Sequence, residues 1–468
     1  MSLKLLVQGG AVLLPDGLHR VDLGVAADGT VAGLYTPGTA PEASEVIDAT
    51  GLQVLPGIVD IHFHVRAPAY PERGTVQSET RAAAAGGVTT IFEMPISKPC
   101  CASPEELIRR RAHFAENAVV DFGLYVAPGD LTTASRDAML AEGAIAFKIF
   151  TTPAPPGRAD EFDGLALPGA AEQLRALELA AATDRPIVVH AEDAALLEHF
   201  GARAEALDPG DAATHNASRP AICEAVSVAQ LLTMNITARA RLHIAHVTSA
   251  ATVQVLRAFA ETSDFTAETC PQYLFATAED VARAGVFGKV NPPIRSAADR
   301  DALWQAIADG VITHVTTDHA PFAHAEKAAA AGNFPAAPPG APGIEFILPA
   351  MLDAVAQGRL DLKTAHDLIC ANGARRYGVW PRKGALLPGS DADITLVDPM
   401  AETVISSTTL HTHARDCAHL FDGRRLRGKV IRTLLAGRTV FADGVVTGQP
   451  GGGRYLRPPI ARGHDATS

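Results

Sequence analysis

Short apolar segments alternate with longer alanine-rich segments through the middle of the chain. Eight of the apolar segments are rich in β-branched residues and predict buried strands, at residues 58–64, 88–94, 119–126, 144–150, 186–190, 242–247, 265–269 and 311–318. Helices are predicted between most of them, at residues 75–85, 104–117, 169–183, 221–234, 250–260 and 298–309. This alternation predicts an α/β fold, a (β/α)8 barrel of the TIM type, over residues 57–378.

The two ends of the chain share a different pattern, with short apolar runs between turns and no helical periodicity. Strands are predicted at residues 5–14, 21–26 and 31–34, and again at 393–397, 430–435 and 439–441. We therefore expect one small β-domain built from residues 1–56 and 379–468. The Gly- and Pro-rich stretch after Gly448 is predicted to be an arm or disordered.

Composition narrows the classes of function. The chain has 468 residues, of which 47% are hydrophobic, and a net charge of -12, so it can bury a large core. No Lys/Arg cluster resembles a phosphate-binding stripe, and nucleic acid is not an expected partner. We find no signal peptide and no uninterrupted apolar run long enough to span a membrane. The six cysteines show neither zinc-ribbon nor disulfide spacing, which indicates a reduced, cytoplasmic protein.

Several of the predicted barrel strands end in side chains that bind metal ions. Side chains two apart on a strand share a face, so His62 and His64 of the first strand can bind one ion together. One such histidine alone is commonly a core residue, but six candidates at strand ends of one barrel indicate a metal site. They are His62, His64, Lys148, His190, His246 and Asp318. His243 lies three residues before His246, faces the other way in a strand, and is left out.

Lys148 suggests that the site holds two metal ions. A buried, unpaired ammonium is costly, whereas a neutral amine reacts with carbon dioxide to form a carbamate. The two carbamate oxygens can bridge two divalent cations, for which we expect zinc first and manganese or iron as alternatives. The ligands of one cation would be His62, His64 and Asp318, and those of the other His190 and His246.

These residues and their surroundings resemble the cyclic amidohydrolase group of the amidohydrolase superfamily, which includes dihydroorotase, allantoinase and hydantoinase/dihydropyrimidinase. The similar stretches cover nearly the whole chain: PGIVDIHFHVR, AAAAGGVTTIFEMP, FKIF, HAED, ETCPQYL, NPPIR, TTDHAP and PRKGALLPGSDADITLVDP. The resemblance implies a two-metal barrel, a carboxylated Lys148 and a small β-sandwich formed by both termini. It also implies a homo-oligomer, a dimer or tetramer.

The resemblance and the metal chemistry together predict hydrolysis of the endocyclic amide C–N bond of a small ureide or imide ring. A hydroxide that bridges the two metals would attack the ring carbonyl. Asp318 would accept the hydroxide's proton and pass it to the leaving nitrogen. A serine nucleophile is not expected, because no G-x-S-x-G elbow occurs.

The identity of the ring stays open at this point. Arg66 and Asn291 resemble substrate-binding residues of dihydroorotase, and Arg66 points into the barrel mouth if the strand alternation continues. However, residues 94–97 are Met-Pro-Ile-Ser, where dihydroorotases have Met-Pro-Asn, and Phe322 replaces their histidine. The tyrosine of hydantoinases is also missing, because residues 151–153 are Thr-Thr-Pro.

Two alternatives to this predicted cyclic-amide hydrolase stay open. One is an authentic dihydroorotase of pyrimidine metabolism. The other is a non-catalytic protein related to dihydropyrimidinase, which the complete set of six ligand positions disfavours.

Overall fold

The computed structural model describes residues 2–458. Its strands are β1 (Leu3–Gln8), β2 (Ala11–Leu14), β3 (Gly17–Arg20), β4 (Asp22–Val25), β5 (Val31–Tyr35), β6 (Ala43–Asp48), β7 (Gln53–Pro56), β8 (Ile58–Phe63), β9 (Val88–Glu93), β10 (Asp121–Val126), β11 (Ala146–Phe150), β12 (Ile187–His190), β13 (Leu242–Ile244), β14 (Phe265–Thr269), β15 (His314–Val315), β16 (Ile394–Val404), β17 (Arg425–Leu435), β18 (Arg438–Ala442) and β19 (Val445–Val446).

The α-helices are α1 (Val76–Ala85), α2 (Pro104–Asn117), α3 (Thr133–Ala141), α4 (Ala170–Ala181), α5 (Ala194–Ala204), α6 (Ala213–Ser218), α7 (Ala221–Ala238), α8 (Ala250–Phe259), α9 (Pro271–Phe275), α10 (Ala278–Ala284), α11 (Ala297–Ala308), α12 (His324–Ala328), α13 (Ile347–Ala356), α14 (Leu362–His366) and α15 (Asn372–Arg376).

Strands β8 to β15 form one parallel sheet in which each strand pairs with its neighbour in the sequence. The sheet closes on itself, because the amide of His64 donates to the carbonyl of His319 at 2.8 Å. The eight strands predicted for the middle of the chain are thus confirmed as a TIM-type barrel. The last strand is much shorter than predicted and has only two residues.

The six predicted helices are present, and four of them begin with side-chain caps that explain where they start. The Thr75 hydroxyl accepts from the amide of Ser78 ahead of α1, and Ser103 does the same ahead of α2. Helix α3 was not predicted. Its only buried side chain is Met139, whereas each of the six predicted helices buries at least three, so its apolar stripe is too weak to predict a helix.

The ends of the chain form two further sheets. One has the strand order β5-β4-β1-β6, and the other has the order β19-β18-β17-β16-β7-β2-β3. Both termini contribute to the larger sheet, because β7 pairs antiparallel with β16. A separate apolar cluster fills the space here, with Leu5, Val54 and Leu434 among its fully buried members. Sheets at the two ends of the chain therefore join into one unit beside the barrel.

The glycine-rich C-terminal stretch is ordered as far as residue 458, so the prediction of disorder is wrong for residues 449–458. Leu456 is buried there, and Arg454 forms an ion pair with the fully buried Asp121 at 2.8 Å. These contacts hold the segment against the end of β10. The rest of the predicted arm, residues 459–468, lies outside the described residues.

Candidate metal centre

The first barrel strand and the loop after the last strand bring three ligand-type side chains together. Nε2 of His62 and Nε2 of His64 each lie 3.3 Å from Oδ1 of Asp318. Donor atoms of His62, His246 and Asp318 all lie within 4.8 Å of one another. The pairing of His62 with His64 agrees with the i and i+2 alternation expected of a strand.

A second pair of histidines lies beside the first group. His190 ends β12, and His246 follows β13 with a positive φ of 36°. Nδ1 of His190 lies 3.0 Å from Nε2 of His246. At this distance the two rings can share a hydrogen bond, and in the absence of that proton both nitrogens would be available to one cation.

Lys148 comes from β11 and is fully buried. Its Nζ forms no hydrogen bond with any residue that the structure describes, and it lies 5.3 Å from the ring centre of Phe150. Burial lowers the pKa of Lys148 from 10.5 to about 8, although Glu268 and Asp318 oppose this shift. The lowered pKa makes the neutral amine, the form that reacts with carbon dioxide, more accessible near pH 7 than in a free lysine.

The charge states of the group suit metal binding. Burial lowers the pKa of His64 to about 3 and that of His246 well below its usual value, so both rings are neutral near pH 7. Burial raises the pKa of Asp318, but His62 and His64 outweigh it and bring the pKa below its usual range. Neutral imidazoles and an ionised carboxylate are the forms that bind divalent cations.

Two buried carboxylates that the sequence analysis missed contact two of these histidines through their other ring nitrogens. Glu268 on β14 makes a short hydrogen bond with Nδ1 of His62. Glu192 accepts from Nε2 of His190 at 2.8 Å. Both lie in stretches already singled out, ETCPQYL and HAED. An acidic side chain inside a buried apolar strand was the signal that could have identified Glu268.

His243 stays outside the ligand group, as predicted. Its Nε2 lies 3.0 Å from Oε2 of Glu268, and its Nδ1 lies 2.7 Å from the hydroxyl of Thr266. Because both ring nitrogens of His243 already form hydrogen bonds, the ring holds Glu268 in position and has no nitrogen available for a cation.

The backbone prediction for Arg66 is wrong, because β8 ends at Phe63 and Arg66 has a φ of 60°. The side chain nevertheless reaches the same end of the barrel as Asp318. It donates to the carbonyl of Pro321 at 3.1 Å, and its guanidinium carbon lies 4.6 Å from the ring centre of Phe322. It is 5% exposed, and within residues 2–458 no carboxylate pairs with the guanidinium.

Asn291, the other predicted substrate-binding residue, follows the short helices after β14. The structure shows no hydrogen bond between its side chain and the histidine–aspartate group. Its Oδ1 is buried and has no partner among the residues described here. The Oδ1 atom of Asn291 is therefore free to accept a hydrogen bond from a bound molecule, and no hydrogen bond joins its side chain to the candidate metal ligands.

Comparison with known proteins shows that the chain is similar to amidohydrolases over most of its length. The chain matches the model of the amidohydrolase family over residues 53–440. It is 35% identical over 467 residues to an allantoinase of Rubrobacter xylanophilus and 33% identical over 469 residues to a D-hydantoinase of Streptomyces coelicolor. These alignments cover 99% of both chains in the first case, and 97% of this chain and 98% of the other in the second.

A solved structure of similar shape is that of L-hydantoinase (dihydropyrimidinase) from Arthrobacter aurescens. It superposes with a TM-score of 0.91 at 30% identity and covers 97% of this chain and 100% of the other. The similarity therefore includes the barrel and the sheets formed by both termini.

Proposed function

The chain belongs to the amidohydrolase family, and from this premise we propose that it hydrolyses the amide C–N bond inside a small ureide or imide ring. Its full-length relatives include an allantoinase and hydantoinases, which are hydrolases of cyclic amides. The observation that carries the proposal is the convergence of four buried histidines and the partly exposed Asp318 at the end of the barrel where the unpartnered Lys148 also lies.

The donor set fits two divalent cations, and we propose zinc for both. The first would be held in pocket A, which consists of His62, His64 and Asp318. The second would be held in pocket B, which consists of His190 and His246. When bound, such cations lower the pKa of water and polarise a carbonyl group.

Lys148 would complete both pockets. Its amine nitrogen would attack the carbon of carbon dioxide and lose a proton, which leaves a carboxylate in place of a cation. The position of Nζ without a hydrogen-bond partner supports this proposal. The new anion would also remove the cost of burying a positive charge beside two metal ions.

Asp318 would move the proton during ring opening. In the ionised state favoured by its histidine neighbours it can accept a proton from the attacking water. The water oxygen bonds to the carbonyl carbon, the ring C–N bond breaks, and Asp318 returns the proton to the departing nitrogen.

For substrate recognition we propose Arg66 and Asn291. A guanidinium that is buried without a carboxylate is costly, so an anionic or carbonyl-bearing part of the ring would stabilise it. The unpartnered Oδ1 of Asn291 can accept from a ring N–H. Arg66 is also the observation that keeps dihydroorotase as the second candidate, because dihydroorotate carries a carboxylate.

We also propose a homo-oligomer. Ile222, Val226 and Ile236 leave an apolar stripe exposed on α7. By length and composition alone, the stretch Ala213–Ala238 could cross a membrane, but 44% of its apolar window is buried against the protein. The exposed stripe suits a second copy of the chain.

Light scattering of Val226→Glu should show a smaller assembly than the native protein, and an unchanged mass would contradict this role for the stripe.

The proposed location is the cytoplasm. All six cysteines are buried and unpaired, which suits a reducing compartment.

A substrate screen tests the proposed activity. Protein loaded with zinc and bicarbonate would be incubated with dihydroorotate, allantoin, hydantoins and dihydrouracil. Mass spectrometry would then detect the gain of one water in the ring-opened product. We expect turnover of at least one ring, which a chelator abolishes. Absence of turnover on every cyclic amide, with two metals bound, would contradict the proposal.

A further inference from the structure

Each pocket contains one histidine that a buried carboxylate holds on the side away from the pocket. Glu268 bonds Nδ1 of His62 and leaves Nε2 to face pocket A. Glu192 bonds Nε2 of His190 and leaves Nδ1 to face pocket B. A carboxylate in this position fixes the tautomer of the ring and raises the basicity of the other ring nitrogen, the one that would bind metal.

The two carboxylates differ in what else they contact. Glu192 also accepts hydrogen bonds from the guanidinium of Arg219, at 3.1 Å from Nε and at a shorter distance from the terminal nitrogen. Glu268 instead contacts Nε2 of His243 at 3.0 Å. Across residues 2–458 no lysine or arginine forms an ion pair with Glu268. One carboxylate therefore has an arginine counter-charge, and the other has not.

We propose that this difference gives the two pockets unequal metal affinities, with pocket A the tighter, and that Arg219 weakens pocket B by neutralising Glu192. Arg219 would then be a positioning residue that acts through Glu192 and His190. The inference rests on the function proposed above, because it assumes that both pockets bind cations.

Two electrostatic effects act in the same direction. Glu268 keeps its full negative charge behind pocket A, whereas the charge behind pocket B is shared with a guanidinium 22% exposed to solvent. Pocket A also contains an anionic ligand of its own, Asp318, while both histidines of pocket B are neutral donors. The cation in pocket B is consequently the first to dissociate, and the metal ion that occupies this pocket depends on which divalent ions are present in solution.

Metal titration tests the inference without reference to activity. The full chain, stripped with a chelator, would be titrated with zinc alone in bicarbonate buffer against a chromophoric competitor. We expect two binding steps that differ by at least about tenfold. Glu268→Gln should weaken the tighter step about 10- to 100-fold, and Glu192→Gln should weaken only the other step by a similar factor. As a matched control, Glu224→Gln removes a buried glutamate that bonds Thr248, and both steps should stay unchanged.

Variants of Arg219 separate charge from geometry. Arg219→Met should strengthen the weaker step by up to about tenfold, because the charge of Glu192 is then uncompensated. Arg219→Lys keeps the positive charge and should stay near the native affinity. Cobalt absorption spectra would report which pocket fills in each step.

Several results would overturn the inference. These are two equal steps in the native protein, both glutamine variants weakening the same step, or Arg219→Met weakening the second step. A native protein that binds no metal would instead contradict the proposed function itself. Thermal unfolding of each metal-free variant checks its fold. If a glutamine variant does not fold, Glu268→Asp or Glu192→Asp replaces it. The shorter side chain moves the carboxylate away from the histidine ring, and the same binding step should weaken.

Discussion

Replacement of Arg66 tests whether the ring substrate is anionic. Nη1 of Arg66 is occupied by the carbonyl of Pro321, while Nε has no partner in the part of the chain that the structure describes. At least one donor is therefore available for a substrate. A hydrogen bond to a charged group contributes about 1.5–3 kcal/mol, which corresponds to about 10- to 150-fold in affinity.

We therefore expect Arg66→Lys to raise KM for dihydroorotate by about 10- to 150-fold, if that ring is a substrate. The same variant should change KM for uncharged hydantoin or dihydrouracil much less. Lysine is expected to be inadequate because it cannot reproduce the planar, two-pronged geometry of a guanidinium. Steady-state kinetics from the loss of ring absorbance would measure both effects, and metal content should not change.

Arg73→Lys is the matched control for this experiment. The Arg73 guanidinium lies 4.8 Å from the same Phe322 ring, but it already forms an ion pair with Glu326 at 2.8 Å. We expect little discrimination between charged and uncharged rings in this variant. If Arg66→Ala leaves the kinetics on the best substrate intact, Arg66 is a structural residue of the rim and the dihydroorotase-like interpretation is refuted.

Three further changes test other parts of the account. Lys148→Ala should abolish turnover by removing the bridging anion, with partial recovery in a short carboxylic acid; full activity would make Lys148 a simple core residue. Asp318→Asn should keep much of the metal but lose roughly 10²–10⁴ in turnover, the scale of general acid–base catalysis, and equal rates would remove it from the mechanism. Burial lowers the pKa of Lys327 from 10.5 to about 7. Between about pH 7 and 10.5 the Lys327 amine is therefore protonated in the unfolded chain and neutral in the folded one. In this range the free energy of unfolding increases with pH, by up to about 1.4 kcal/mol per pH unit. Denaturant unfolding of Lys327→Met should lack this contribution, and an identical pH slope would contradict the shift.

The regular parts of the barrel were predictable because each buried strand is marked by an apolar, β-branched run. The short strand β15 shows the limit of this signal. Residues 311–318 are apolar enough to predict one strand, but only His314 and Val315 pair with β14, and residues 316–318 form an irregular segment that ends at Asp318. A run of apolar residues marks burial and does not by itself fix where hydrogen bonding between strands ends.

The positions of the candidate ligand side chains were predictable near strands and less so in loops. Strand alternation placed His62 and His64 on one side, and both rings lie 3.3 Å from Asp318. The alternation failed at Arg66, whose backbone turns into the left-handed region after the strand has ended. His246 also follows the end of its strand, with a φ of 36°, so alternation did not govern its direction relative to His243.

Contacts between distant segments were the least predictable feature. Glu268 is 206 positions from His62 in the sequence, and only the closed barrel brings them together. The C-terminal stretch has the composition of a disordered tail, yet Arg454 finds a buried partner in Asp121. Local composition contains no information about such a partner.

The most direct test of the central claim is a titration of metal-free protein with zinc in bicarbonate, with ring-opening activity measured at each addition. The account predicts that a metal-free chain is inactive and that activity rises until about two zinc ions are bound per chain. Full activity in protein shown to be free of metal, or activity that ignores the added zinc, would contradict it.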